Sequence, residues 1–278
     1  MLQHIVLGAL LQGIGKFAQR AQEAKPDPQN YAHWTADLLT PWEARFTALL
    51  GKVDGDDNFL TLATHSQPPQ TPLQQLIAQA NQMASAVNRE PLTRPVAPSN
   101  FRLRSIFNRV QTNKNQTNHP EYYYKLEPLR FEKGVQQISD NLFPVADLKV
   151  ATRDEYAKLY EEFKKEWQEL LKDPESTSSI PNFLPRLLTL LERYTWCVPA
   201  YPGTQADISL YDHSLVTAAC TQALYLYHSE VKVWPMEYPE TEPQLPKFLL
   251  ISGDLSGMNR YLFHFATTNL TDVATILR

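Results

Sequence analysis

The sequence predicts a mainly α-helical chain, and three observations carry that prediction. Ile5 to Arg20 (IVLGALLQGIGKFAQR) places Ile5, Val6, Leu7, Leu10, Leu11, Ile14 and Phe17 on every face of a helix, the pattern of a helix buried all round. Asp154 to Lys172 is amphipathic, with Tyr156, Leu159, Tyr160, Phe163, Trp167, Leu170 and Leu171 recurring at helical spacing along one face. Finally, 21 Pro against only 9 Gly predict helices broken by rigid loops.

Within the first helix two residues do not suit burial. Gln12 is a polar side chain among leucines, and Gly13 costs about 1 kcal/mol relative to alanine in a helix interior. Gly15-Lys16 reads as the helix end, a backbone turn with a cation near the last carbonyls. Lys25 to Gln29 is a loop. Tyr31 to Leu50 is helical, with Trp34, Leu38 and Leu39 as its stripe; Pro41 either kinks it or starts a second helix. Asp54 to Asn58 (DGDDN) is a solvated acidic turn. Phe59 to Thr64 is a short helix running into His65-Ser66, and Leu73 to Asn88 is another.

Arg89 to Lys133 is loop-rich, with nine Lys/Arg against four Asp/Glu, interleaved with Phe101, Phe107 and Tyr122 to Tyr124. Basic residues among aromatics suit single-stranded nucleic acid, through phosphate contacts and base stacking, and Arg102, Arg104, Arg109 and Lys114 are the candidates. An irregular surface lobe with some buried tyrosines gives the same composition. Phe183 to Tyr194 and Ser209 to His228 are further helices, the second burying Leu210, Leu215, Leu224 and Leu226; Val198 to Asp207 is a Pro/Gly loop between them. Residues 234–246 form a proline- and acid-rich linker, the best domain boundary, which divides residues 1–233 from 247–278. Phe248 to Ser252 is a short apolar strand, followed by Gly253-Asp254-Leu255-Ser256-Gly257 and a helix from about Met258.

Composition narrows the function. The 278 residues, 43% hydrophobic and 20% charged, suffice for one large or two smaller cores. A net charge of −4 gives no global pull toward nucleic acid, so any such contact is local. No run of about 18 apolar residues argues for a membrane span, and no basic region precedes the N-terminal apolar stretch as in a signal peptide. Cys197 and Cys220 lack metal-ligand spacing and read as free thiols in a reducing cytoplasm.

The text A-L-L-x-x-I-G-K-F-x-Q-R at Ala9 to Arg20 resembles the opening of the large subunit of type III CRISPR effector complexes. The His33 segment, the His65 segment, Pro91 to Val110, Ser209 to Ala218 and Leu249 to Arg278 resemble the same family in order. The resemblance implies a permuted HD-phosphohydrolase-like helical domain, followed by the first strand and helix of a ferredoxin-like palm domain. HD enzymes hold divalent metals with histidines and carboxylates, and the metals make a hydroxide nucleophile and neutralise the phosphate under attack. Matched one position at a time, this chain keeps His33, His65 and His213. It has Gln12 and Gly13 in place of the family's His-Asp, Ser66 in place of the second His of a pair, and Asn81 in place of Asp.

Three neutral imidazoles can hold one transition metal, but without the carboxylates little remains to bind a second cation or hard Mg²⁺ or Mn²⁺. Gln12 and Asn81 offer amides that can hydrogen-bond the remaining histidines. The expectation is a metal-free structural pocket with no nuclease activity and no cofactor. The alternatives are one divalent transition metal, or a metal-dependent single-stranded DNA nuclease using the three histidines. Gly253, Asp254, Ser256 and Gly257 are candidates for nucleotide contact, or equally a tight turn with an N-cap serine. The family's Gly-Gly-Asp-Asp cyclase motif does not occur in the sequence, so cyclic oligoadenylate synthesis would need palm regions beyond it; the chain reads as a truncation, a split subunit, or one pairing its last strand with a partner. The implied partners are other effector subunits, crRNA and target RNA, with single-stranded DNA under the nuclease alternative, and no membrane.

Overall fold

The computed structural model describes residues 1–22, 31–64, 69–85, 102–110, 120–130, 142–146, 148–201, 206–235, 247, 249–253 and 256. The chain divides into two units, Met1–Pro243 and Gln244–Arg278. The first is mainly helical and contains the core.

Its opening rod is α1 (Leu2–Leu11), a tight 3-10 turn at Gln12–Ile14, and α2 (Gly15–Gln22). Ile5, Leu11 and Phe17 are fully enclosed, as burial on every face requires. The rod does not end at Gly15-Lys16 as the sequence suggests. Gly15 keeps right-handed helical angles (φ −60°, ψ −25°), so it is no left-handed cap. Its role is close approach: a Cβ there would lie 2.1 Å from the Tyr31 carbonyl oxygen and 2.5 Å from Thr35 Oγ1. Lys16 and Arg20 are carried into the interior behind it.

Next come α3 (Ala32–Leu39), a 3-10 turn at Thr40–Trp42 and α4 (Glu43–Leu50), so Pro41 divides two helices where its ring is tolerated. Gly51 closes α4 at φ +87°. The short α5 (Phe59–Thr64) and α6 (Pro72–Ser85) follow. The long α7 (Arg153–Lys172) begins with a capping box in which Thr152 and Glu155 satisfy each other's backbone N–H. Two more helices complete those of the described residues, α8 (Ile180–Thr195) and α9 (Leu210–Val231), the latter capped by Ser209.

The core joins these helices. α1 packs on α5 and α9, α9 on α6, and α2 on α3 and α7. The α7 stripe meets the rod through Phe17, whose ring stands edge-on to Tyr160 at 5.0 Å and tilted against Phe163 at 5.7 Å. Trp167, Phe46 and Phe183 extend this aromatic layer, while Leu170 is half-buried at its margin. α9 differs from expectation. Leu215 and Leu226 are exposed, and the buried face instead runs through Leu210, His213, Thr217, Thr221, Leu224 and His228. Those positions share one register at i, i+4 and i+7, and the two leucines fall outside it.

A two-stranded antiparallel sheet, β1 (Tyr122–Tyr123) and β2 (Val145–Ala146), sits beside the helices with Tyr122 opposite Ala146. The segment before it is tied to the helical body: Arg104 N donates to the Ala206 carbonyl at 2.8 Å, and Arg102 Nε to that of Val150 at 3.0 Å.

No helix among the described residues is long and apolar enough to cross a membrane, and Cys197 and Cys220 are free thiols. In the second unit Leu249, Leu250 and Ile251 are exposed and form no strand. The loop at residues 25–29, Phe248, most of the linker and the helix expected from about Met258 lie outside the described residues.

Candidate functional site

The Gln12–Ile14 turn is held from the side of α3. Thr35 Oγ1 donates to the Gln12 carbonyl and accepts from Gly15 N–H, each at 3.1 Å, and is fully buried. Gly13 faces α9, where a Cβ would be 3.4 Å from Leu210 Cδ1 and 3.5 Å from Ser214 Oγ, ordinary contact distances. The Gln12 side chain is buried, and its Nε2 has no hydrogen-bond partner among the described residues.

One turn into α9, His213 is buried beneath α6. Its Nε2 lies 2.9 Å from Asn81 Oδ1 and 3.3 Å from the Tyr201 hydroxyl. An amide oxygen only accepts, so Nε2 carries the proton and donates. Tyr201 OH is hydrogen-bonded in turn to Ser85 Oγ, and Ser85 Oγ donates to the Asn81 carbonyl. Burial, reinforced by the positive charge of Lys16, pushes the His213 imidazole down to about 3, so it is neutral at physiological pH. Asp212 beside it is exposed and is hydrogen-bonded to the Ser209 cap.

Lys16 completes the pocket. Its ammonium lies 4.3 Å from the Tyr201 ring centroid and 5.0 Å from that of Tyr31, within cation–π range of both. Burial, and then the charge of Arg20, lower its pKa to about 7. Arg20, fully enclosed, donates to the Pro199 carbonyl at 2.5 Å and is hydrogen-bonded to Tyr156.

The histidines expected as a set are not assembled by the described residues. His33 is exposed on α3 with its ring 4.8 Å from that of Trp34. His65 and Ser66 lie outside the described residues. Among the described residues no group of three His, Cys, Asp or Glu side chains is placed to hold a metal. Among the described residues, Gln12, Gly13 and Asn81 offer no carboxylate to a metal, and the Nε2 proton of His213 is directed at Asn81.

The arginines of the basic segment are paired within the fold. Arg102 is only 4% exposed and pairs with Glu155, Arg104 pairs with Glu121 at 2.9 Å, and Arg109 with Asp207 at 2.6 Å. Three of the four candidate phosphate contacts are thus engaged within the fold, Arg104 by an acid of its own segment and Arg102 and Arg109 by acids from distant stretches that a local charge count omits. Lys114 lies outside the described residues. Gly253 and Ser256 are exposed, whereas Asp254 and Gly257 are outside the described residues. Sequence reasoning missed Lys16, Tyr201 and Ser85 as pocket residues. The available signal was a lysine inside a stretch apolar on every face.

No family model matches the chain. In sequence it is 28% identical, over 301 aligned positions, to the CRISPR system single-strand-specific deoxyribonuclease Cas10/Csm1 (subtype III-A) of Methanocaldococcus jannaschii; the match takes in 95% of this chain and 35% of that protein. The chain is thus similar in sequence to a Cas10/Csm1 protein. In fold it is similar to the crystal structure of Csm1 in T. onnurineus, with a TM-score of 0.54 and 21% identity, over 81% of this chain and 28% of that one. The Csm1–Csm4 subcomplex of the type III-A CRISPR-Csm interference complex aligns over the same shares at 20% identity and a TM-score of 0.49. The chain therefore spans about a third of the length of the Cas10/Csm1 proteins it matches.

Proposed function

We propose that this chain is the HD-like helical portion of a large subunit of a type III CRISPR effector complex, with a structural role and an inactive nuclease centre. In this reading residues 1–233 are the degenerate HD-like domain, 234–246 the linker and 247–278 the start of the first palm domain. Its partners are the neighbouring effector subunits, crRNA and target RNA, in the cytoplasm. The observation that carries the inactive centre is the Asn81–His213 hydrogen bond. Where a catalytic HD site needs an acid and a metal-bound imidazole, an amide oxygen here accepts the imidazole proton at 2.9 Å.

A second reading, a metal-dependent single-stranded DNA nuclease using His33, His65 and His213, is favoured by the name of the sequence relative. Elemental analysis of the purified chain, with single-stranded DNA cleavage assayed in Mn²⁺, Ni²⁺ and Co²⁺, separates the two. The structural reading expects no stoichiometric metal and no cleavage. One bound metal, with cleavage abolished by both His33→Ala and His213→Ala, would overturn it.

A further inference from the structure

A cleft of about 280 Å³ between α3 and α7 shares no residue with the pocket of His213 and Lys16. Both helices pack on α2, and Gln22, its last residue, borders the cleft. Helical spacing sets the walls. Trp34, Asp37 and Leu38 fall at i, i+3 and i+4 on α3, and Trp42 follows from the 3-10 turn. Tyr160, Lys164 and Trp167 fall at i, i+4 and i+7 on α7. Trp34 and Trp42 are half-buried, so they pack on the core and still border the cleft.

Of the two charges that line this cleft, only the negative one is left unneutralised. Lys164 is paired with Glu161 at 2.6 Å, whereas Asp37 is exposed and makes no ion pair among the described residues. Asp37 acts on the aromatic wall: burial, and then the charges of Glu161 and Asp37, raise the pKa of the Tyr160 hydroxyl. The Tyr160 ring already attracts a cation, since the Lys164 ammonium lies 5.3 Å from its centroid. Aromatic faces beside a carboxylate favour a cation over an anion. A guanidinium suits them best, because it stacks flat on an indole and keeps its N–H edge for a carboxylate. The volume lies below the roughly 300–1,000 Å³ of sites that enclose a drug-sized ligand, so it suits one side chain. We infer that the cleft seats an arginine side chain of a protein partner, its guanidinium against Trp34 and Trp42 and paired with Asp37.

The test is titration of the 278-residue chain with the peptide acetyl-Gly-Ser-Arg-Gly-Ser-amide. The same peptide with lysine, or with citrulline as the uncharged isostere of arginine, serves for comparison, as do free arginine and adenosine. Indole N–H resonances, assigned through Trp34→Phe and Trp42→Phe, report both the affinity and the place of binding. The arginine peptide is expected to move the Trp34 and Trp42 signals saturably and to bind roughly tenfold more tightly than the citrulline peptide. Asp37→Asn weakens that binding by roughly fivefold, and Asp37→Lys abolishes it. Because Asp37 is exposed, both variants keep the unfolding temperature of the wild-type chain. No saturable response, equal binding of the arginine and citrulline peptides, movement of other indoles alone, or unchanged affinity in Asp37→Lys overturns the inference. Lysine peptide or adenosine binding as tightly as the arginine peptide overturns it as well, in favour of a general cation site or a base-stacking site. Tighter binding of free arginine than of the peptide overturns the protein partner in favour of a small metabolite.

Discussion

At Lys16 the folded chain releases a proton that the unfolded chain retains. The lysine titrates near 7 when folded and at its ordinary 10.5 when unfolded. Between those values the unfolded state binds more protons, so stability rises with pH, by up to about 1.4 kcal/mol per unit. The buried Cys197 thiol, pushed up to about 12 by burial from an ordinary 9.0, acts in the opposite direction once unfolded thiols ionise. The window for the lysine is therefore about pH 7 to 9. Urea midpoints across it are expected to climb for the wild-type chain and stay flat for Lys16→Met; equal slopes would exclude this lysine as their source. His213 acts at lower pH with the same sign. Folded near 3 and unfolded at 6.5, it withholds a proton that the unfolded chain binds, so stability is lost as pH falls through 6.5 toward 3. The resemblance sets Gln12 and Gly13 against His-Asp and Asn81 against Asp, and the Asn81 amide does meet a histidine as its chemistry allows. Among the described residues Gln12 Nε2 has no partner.

Among the elements, α7 and α9 were both legible as helices, but the buried face of α9 was read only in part, for a physical reason. The buried face of α7 is aromatic and aliphatic, so hydrophobic spacing reveals it. The buried face of α9 mixes Leu210, Ala218 and Leu224 with His, Ser and Thr, and Thr217 Oγ1 is satisfied within the helix by the His213 carbonyl at 2.8 Å. Hydroxyls paired in this way tolerate burial without leaving an apolar signature. The start of α7 also explains Arg102, whose guanidinium reaches Glu155, the acid of the capping box, and the Val150 carbonyl. Arg102→Ala is expected to cost roughly 2 kcal/mol, since it removes a buried guanidinium and its hydrogen bonds to a charged partner at the helix start. Urea denaturation would register that loss, while fluorescence anisotropy with single-stranded RNA should find affinity unchanged. A variant of normal stability and weakened RNA binding would restore Arg102 as a phosphate contact.

Over the whole chain, the core described for the first unit draws every member from residues 5–224. Helix content and the broad order of elements followed from patterning, because burying an apolar stripe is a local demand that sequence spacing records. What spacing could not record is convergence. The arginines near β1 find acids at Glu155 and Asp207, and Tyr201 reaches His213 and Ser85, only once the helices have packed.

The absence of a side chain at Gly15 has a mechanical consequence. With the α3 backbone filling the space of its missing Cβ, and Thr35 bonded to both Gly15 and Gln12, the second helix and the third move only together. The pair works as one lever with its fulcrum at this crossing, and Lys16 is the next residue along the arm. Gly15→Ala would pry the crossing apart, at a cost of roughly 3 kcal/mol on the scale of overpacked cores. Amide exchange would locate the strain: in the wild-type chain Gly15 N–H should exchange only on global unfolding, and in the variant Lys16 and Phe17 should lose protection before the helices around them do.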